Sequence, residues 1–169
     1  MLLRHLALVS LLALLTTGCA SMNESECRAN DMYSKGLSDG EEGEPMSRLA
    51  DHRKACDEYG IKLDGELYRK GRDDGLKRYC TPGNGEQVGR AGKSYASVCP
   101  PELEPAFLKE YKKGKFIHDI EQKQRELDNV REQLRDKDLK PKDRAQLEAR
   151  RDRLEQDLRL MTIQSVIGQ

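Results

Sequence analysis

One histidine and three cysteines have the residue types of a metal site and part of its spacing. His52 and Cys56 are four residues apart, so a helix would place both on one side. With Cys80 and Cys99 they form a Cys₃His set, which is a zinc-binding combination. The short spacing between cysteines that is typical of zinc sites is absent. We therefore predict no metal and no cofactor, and we expect His52 to be a partly exposed helix residue. Periplasmic metal handling is the alternative.

The cysteines also predict a covalent framework. Cys27, Cys56, Cys80 and Cys99 are an even set, which in an oxidising compartment indicates two disulfides. Four cysteines allow three pairings. We favour Cys27–Cys56 and Cys80–Cys99. Glycines and tyrosines recur along this part of the chain as a repeat, described below, and each pair then encloses one unit of it.

Carboxylates are the remaining candidates for catalysis. Five acids lie beside glycines or in polar runs, where carboxylates are usually solvated, namely Asp39, Asp57, Asp64, Asp73 and Asp74. No GxSxG or HExxH motif is present. We predict no catalytic residue and no enzymatic activity. An envelope hydrolase that uses one of these acids with His52 is the alternative.

The N-terminus predicts export and a lipid anchor. A short basic head, an apolar stretch (6–15) and small residues follow one another, as in a secretory signal, and the stretch is too short to span a membrane. Gly18-Cys19 resembles the end of the bacterial lipobox, in which the cysteine is acylated and becomes the new N-terminus. In proteins of that type, a residue such as Ala20 after the cysteine is typical of the outer membrane. An ordinary cut after Ala20, which would discard Cys19, is the alternative.

Charge and composition exclude one class of partner. Lysine plus arginine and aspartate plus glutamate number 30 each, and there is no basic tract. We therefore expect no binding to nucleic acid, which requires a positive surface. Hydrophobic residues make up 36% of the chain, so the core is small and disulfides matter more for its stability.

A repeated phrase indicates helices that approach closely. The motif residues are Tyr33, Gly36, Gly40, Tyr68, Gly71, Gly75, Gly89, Gly92 and Tyr95. Their steps of three and four are helical, and each interior glycine costs a helix about 1 kcal/mol relative to alanine. We predict that glycine grooves compensate by receiving tyrosine rings from other helices. The last glycine helix is predicted to run from Gly85 to Cys99, and Asp-Gly turns between short strands are the alternative.

The C-terminal part predicts two charged helices. Apolar residues continue at steps of three and four, at Ile117, Ile120, Leu127 and Leu134, and again at Leu147, Leu154, Leu158 and Met161. Pro141 restarts the pattern. Gln124, Arg131 and Arg151 interrupt the seam, which favours an antiparallel hairpin over a long coiled coil.

We predict a mainly α fold: a small disulfide-stapled domain of short Gly/Tyr-rich helices plus a C-terminal antiparallel helical hairpin. The predicted divisions are a signal peptide at 1–18, a lipid anchor and tether at 19–26, the Gly/Tyr/Cys-rich domain at 27–115 and a charged helical hairpin or coiled coil at 116–169.

The combined pattern resembles domain-of-unknown-function family 2799 over about 27–116. The phrases that carry the resemblance are Tyr33-x-x-Gly36-x-x-Asp39-Gly40, His52-x-x-x-Cys56, Tyr68-x-x-Gly71-x-x-x-Gly75, Gly89-x-x-Gly92-x-x-Tyr95 and Tyr111-x-x-Gly114. The resemblance implies a small proteobacterial envelope lipoprotein, and it implies no activity.

Together these observations predict a binding or scaffold module of the cell envelope. Lipid on Cys19 would hold it at the periplasmic face of the outer membrane. The expected partner is an envelope protein or cell-wall glycan.

Overall fold

The computed structural model describes residues 21–167, which form seven helices. They are α1 (Glu24–Ala29), α2 (Met32–Glu42), α3 (Arg48–Asp57), α4 (Gly65–Tyr79), α5 (Pro82–Arg90), α6 (Glu104–Leu134) and α7 (Pro141–Ile167). No strand occurs among these residues, so the mainly α fold is confirmed and the alternative of strands is wrong. The predicted signal peptide and Cys19 lie outside the described residues.

Side-chain caps explain where the short helices begin. Asn23 accepts a hydrogen bond from the backbone N–H of Glu26, and the Glu26 carboxylate accepts one from the backbone N–H of Asn23. This reciprocal capping box starts α1. Asp31 starts α2 and Thr81 starts α5 in the simpler way, each accepting from a backbone N–H three residues later.

The described residues divide into two compact units. The first unit contains α1 to α4 together with Ala96–Cys99, and the second contains α5 to α7 with the segments beside them. In the second unit α6 runs unbroken through the boundary predicted near residue 115. The chain is not divided near residue 115, because Tyr111 and Gly114, which end the sequence repeat, belong to the helix that continues as the first arm of the hairpin.

The first unit is built on close contact between α2 and α4. A β-carbon on Gly36 would overlap the backbone carbonyl of Tyr68, and one on Gly71 would overlap the carbonyl of Tyr33. Gly40 and Gly75 repeat this relation one turn later on each helix. Contacts advance in the same direction along both helices, so the pair is parallel. The two copies of the repeat therefore pack with pseudo-two-fold symmetry.

The second unit contains another parallel pair of the same kind. Gly89 on α5 lies against the Tyr111 carbonyl on α6, and Gly114 on α6 lies against the Glu86 carbonyl on α5. Gly85 lies one turn earlier, against the backbone of Phe107. The predicted close approach is thus present in both units.

Two details of that prediction are wrong. The motif glycines inside the helices pack against the backbone of the partner helix and not against tyrosine rings. The helix predicted to reach Cys99 ends at Arg90, because Gly92 adopts a left-handed conformation with φ of 71°. The N–H of Lys93 then bonds the Val88 carbonyl at 3.2 Å, which closes the helix with a Schellman motif.

The core of the first unit begins close to the first described residue. Met22, which was assigned to the tether, is 3% exposed and packs with Met32, Leu49 and Tyr68. Cys27 on α1 is bonded to Cys56 on α3, as favoured, with 5.4 Å between their Cα atoms.

Cys80 and Cys99 are disulfide-bonded as well, so two disulfides are present. A disulfide typically stabilises a fold by about 2–4 kcal/mol, which is substantial for a chain with so few apolar residues.

The second unit extends into the predicted antiparallel hairpin. Leu127 and Val130 on α6 and Leu154 on α7 form its buried seam, and Leu134, Leu147 and Leu158 pack against them. Val130 occupies the seam where Arg131 was predicted, and Arg131 instead bonds Glu155 across the hairpin at 2.9 Å. No helix in the described part of the chain is both long and apolar enough to cross a membrane.

Two glycines of α5 allow a matched test of the close approach. Gly89→Ala forces a methyl group into the α6 backbone, whereas nothing lies within 4 Å of a β-carbon on Gly83. We expect Gly89→Ala to lower the free energy of unfolding by at least ~2 kcal/mol, and Gly83→Ala to leave it unchanged or raise it by up to ~1 kcal/mol. Urea unfolding of the full chain with its disulfides intact, followed by circular dichroism, measures both. Equal effects would contradict this account of the helix pair.

Candidate functional site

The most concentrated polar chemistry of the first unit is a cluster of four residues, of which three are buried and one is half-buried. The Asp39 cluster consists of Asp39, His52, Tyr68 and Ser21. The Tyr68 hydroxyl donates to Asp39 Oδ2 at 2.7 Å, and His52 Nε2 lies 2.7 Å from the same oxygen. His52 Nδ1 lies 2.9 Å from Ser21 Oγ. His52 and Tyr68 have no exposed surface, and Asp39 is 4% exposed.

The packing of the repeat places the tyrosine and the aspartate of this cluster. Because α2 and α4 are related by pseudo-two-fold symmetry, the tyrosine of each copy reaches the aspartate of the other. Tyr33 donates to Asp74 Oδ2 at 3.0 Å, which is the counterpart of the bond from Tyr68 to Asp39. The Tyr33–Asp74 bond is partly exposed, whereas the Tyr68–Asp39 bond is buried.

A third helix covers the buried copy of this interaction. His52 projects from α3, and Cys56, one turn later on the same helix, is held to α1 by its disulfide with Cys27. The sequence predicted a partly exposed His52, and the structure shows that this is wrong. The ring is buried because α3 packs across α2 and α4, where the ring lies edge-on to Tyr68 with 5.9 Å between ring centroids.

The cluster is electrostatically arranged around an ionised Asp39. Burial raises the pKa of this carboxyl, but the hydrogen bonds from His52 and Tyr68 outweigh it and hold the pKa below its ordinary value. Burial and the bond to Asp39 both raise the pKa of Tyr68, which keeps its hydroxyl protonated. An ionised carboxylate only accepts hydrogen bonds, so His52 Nε2 carries a hydrogen.

Ser21, His52 and Asp39 have the residue types and the order of contacts of a hydrolytic triad. Turnover by such a triad requires that the imidazole pass a proton to the leaving group of a substrate. The His52 ring has no exposed surface, and both of its nitrogens are hydrogen-bonded within the protein. The imidazole is therefore enclosed within a hydrogen-bond network of the protein itself.

The Cys₃His alternative is contradicted. Cys56, Cys80 and Cys99 are all disulfide-bonded, so they have no thiolate to offer a metal. His52 is engaged by Asp39 and Ser21. Among residues 21–167 no other group of three or more histidine, cysteine or acidic side chains is arranged to hold an ion.

A buried arginine stabilises the end of α2. Arg72 on α4 is 6% exposed, and its Nε and Nη2 atoms both donate to the backbone carbonyl of Glu44, at 3.0 and 2.7 Å. Glu44 follows Gly43, whose left-handed conformation ends α2. A positive charge at this place is favourable because the C-terminal end of a helix carries a partial negative charge.

The second unit contains an apolar groove near the end of α7. The hairpin groove has a volume of about 590 Å³ and is lined by Phe116, Ile117 and Ile120 from α6 and by Gln164 and Ser165 from α7. Three lysines and one acid also border it, namely Lys109, Lys112, Lys113 and Glu110. On the same stretch of α7, Leu160 and Ile163 are 58% and 55% exposed.

The predicted motif residues have four different roles. Gly36, Gly40, Gly71, Gly75 and Gly89 make helix contacts, and Gly92 ends α5. In the second unit the Tyr95 hydroxyl bonds Glu104 at 2.9 Å, and its ring lies 4.9 Å from that of Phe107. Tyr33 and Tyr68 form the reciprocal bonds to aspartate.

Sequence reasoning did not identify Ser21 or the role of Asp39. Asp39 was among the acids considered, and the available signal was its position six residues after Tyr33, which Asp74 repeats after Tyr68. Ser21 had no such signal, because nothing in the sequence relates it to His52.

These features define a class of protein: an all-helical, disulfide-stapled domain assembled from glycine-packed helix pairs. The model of the DUF2799 family, described as a protein of unknown function, matches residues 31–116, slightly more than half of the chain, so the chain belongs to this family. No curated protein and no solved structure matches it. The disulfides indicate an oxidising compartment outside the cytoplasm.

Tyr33 and Tyr68 provide a matched test of the buried cluster, because the same chemical change is made at symmetry-related positions. Tyr68→Phe removes a buried hydrogen bond to a charged acceptor and is expected to cost about 2 kcal/mol of unfolding free energy. Tyr33→Phe removes its partly exposed counterpart and is expected to cost less than ~0.5 kcal/mol. Denaturant unfolding of both variants measures the difference, and a larger loss for Tyr33→Phe would refute the assigned role of burial.

Proposed function

We propose that this protein is a lipid-anchored module of the bacterial outer membrane that faces the periplasm and binds an envelope partner. The observation that carries the proposal is that two disulfides staple a fold whose core begins at Met22, three residues after Cys19. An ordinary cut after Ala20 would leave Ser21 at the new N-terminus. Lipid on Cys19 supplies an anchor, and the apolar stretch before it supplies the export signal.

The anchor is tested by Cys19→Ala in the full-length precursor. We expect the native protein to incorporate an alkyne-tagged fatty acid and to fractionate with membranes. The variant should lose the label and the membrane association while retaining its disulfides. A variant that stays in the membrane fraction and is cut at the same place would contradict the anchor.

The hairpin groove is the proposed binding surface. Phe116, Ile117 and Ile120 supply an apolar lining, which suits side chains of a protein better than the hydroxyl groups of a glycan. Lys112 and Lys113 on its border favour a partner with acidic groups beside the apolar ones. Exposed Leu160 and Ile163 extend the apolar surface of α7.

Photo-crosslinking in intact cells tests this surface. A photoreactive amino acid in place of Ile163 is expected to give a discrete protein adduct, and the same residue in place of exposed Gln146 on α7 is the matched control. Lys112→Glu combined with Lys113→Glu should reduce the Ile163 adduct at least tenfold, because the charges then repel an acidic partner. An adduct insensitive to this charge reversal, or equal yields from both positions, would count against the groove.

We propose a structural and non-enzymatic role for the Asp39 cluster. The alternative of an envelope hydrolase has one observation in its favour, the hydrogen-bonded order Ser21–His52–Asp39. Against it stand the enclosed imidazole and the sharing of the Asp39 Oδ2 oxygen with Tyr68. The cluster links α2, α3 and α4 to the first described residue, which is the role we assign to it.

A further inference from the structure

We propose that the first unit lies directly against the lipid headgroups, with the α1 region as its membrane-facing surface and without a spacer between anchor and fold. The inference rests on the proposed lipid attachment at Cys19. It changes the expected architecture, because residues 19–26 were predicted to form a lipid anchor and a tether.

The chain is held in the fold from its first described residue. Ser21 Oγ is bonded to His52 Nδ1 at 2.9 Å, and His52 is completely buried. Met22 is inserted in the core, Asn23 caps α1, and Cys27 is covalently joined to α3. Four successive attachments of different kinds thus hold a stretch of seven residues (21–27), which leaves no tether on the domain side of Ser21.

The remaining covalent distance is short. Ala20 is the only residue between Cys19 and Ser21, and consecutive Cα atoms are about 3.8 Å apart, so the Cα atoms of Cys19 and Ser21 are at most ~7.6 Å apart. The acyl chains of a lipidated cysteine lie in the hydrocarbon core, and the headgroup layer is about 5–7 Å thick on each side of a bilayer. Ser21 is therefore confined to the headgroup layer or its outer edge.

The exposed side chains of this region suit headgroups and not the hydrocarbon core. Asn23, Glu24 and Ser25 are exposed and polar. Arg28 forms an ion pair with Glu24 at 2.6 Å, and Glu26 is a second exposed acid, so α1 presents a polar surface with one net negative charge beside the anchor. The only exposed apolar side chain of α1 is the methyl group of Ala29. A polar surface of this kind can rest among zwitterionic headgroups without being inserted more deeply.

The test is paramagnetic broadening of backbone amide signals in lipid nanodiscs. The lipid-modified full chain is reconstituted in phosphatidylethanolamine and phosphatidylglycerol doped with a lipid that carries gadolinium on its headgroup. We expect the amide signals of residues 21–28 to be strongly broadened, because the effect falls steeply with distance. A variant with about eight Gly/Ser residues inserted between Ala20 and Ser21, which adds ~16 Å of mean reach, should recover at least half of the lost signal intensity.

A matched control separates the length of the insertion from its place. The same insertion between Lys137 and Asp138, in the exposed connection of α6 and α7, should leave the broadening of residues 21–28 as in the native protein. Equal signal intensities in the native protein and in the Ala20–Ser21 insertion variant would overturn the proposal. Mass spectrometry of the same samples makes the outcomes distinguishable: absence of lipid on Cys19 overturns the proposed anchor, whereas lipid without selective broadening overturns only the direct contact.

Discussion

The contact on which the first unit depends is the touching of two helix backbones, α2 and α4, through four glycines. A glycine inside a helix has an unfavourable propensity, so the sequence gives up helix stability at each of Gly36, Gly40, Gly71 and Gly75. The gain is tertiary, because carbonyl oxygens of one helix occupy the places where β-carbons of the other would lie. The short distance between the two helices brings the tyrosine of each repeat copy within hydrogen-bond reach of the aspartate of the other copy. The tyrosine–aspartate bonds of the unit therefore depend on the glycines, which have no side chain to hold the two helices apart.

The two symmetry-related tyrosine–aspartate bonds differ in burial, and the buried one forms the candidate site. Asp74 and Tyr33 remain partly exposed, with Lys77 donating to Asp74 at 2.8 Å. Their counterparts, Asp39 and Tyr68, are covered by α3 and have His52 as the additional partner. Burial makes a carboxylate expensive unless it accepts several hydrogen bonds, and the cluster provides two to one oxygen of Asp39. The tyrosine–aspartate bond is thus partly exposed in one copy, and in the other it is buried and also binds His52 of α3.

The second unit contains a helix pair of the same kind, formed by α5 and α6, and extends one of the two helices. Its second helix does not end after the glycine contact but continues as the first arm of the hairpin, so α6 carries both Gly114 and the apolar seam around Leu127. Cross-hairpin ion pairs such as Lys123–Asp157 and Arg150–Glu126 flank a narrow seam. Exposed ion pairs contribute little to stability, so the arms present much polar surface for a small buried core.

The sequence by itself determined the helical class, the two disulfides, the hairpin and the existence of close helix contacts, because periodicity, cysteine number and glycine spacing are local signals. The tyrosines and glycines also have the same spacing in both copies of the repeat, and this spacing makes the family pattern recognisable in the sequence. Only the tertiary structure decided what the glycines touch, that α5 ends at Arg90 with Gly92 in a left-handed conformation, and that His52 is buried beside Asp39. It also placed Ser21 and Met22 within the fold rather than in a tether. The end of α5 depends on the left-handed conformation of Gly92, which glycine permits but does not require. The burial of His52 depends on which face of α3 packs against the α2–α4 pair, and no spacing within a single segment encodes that choice.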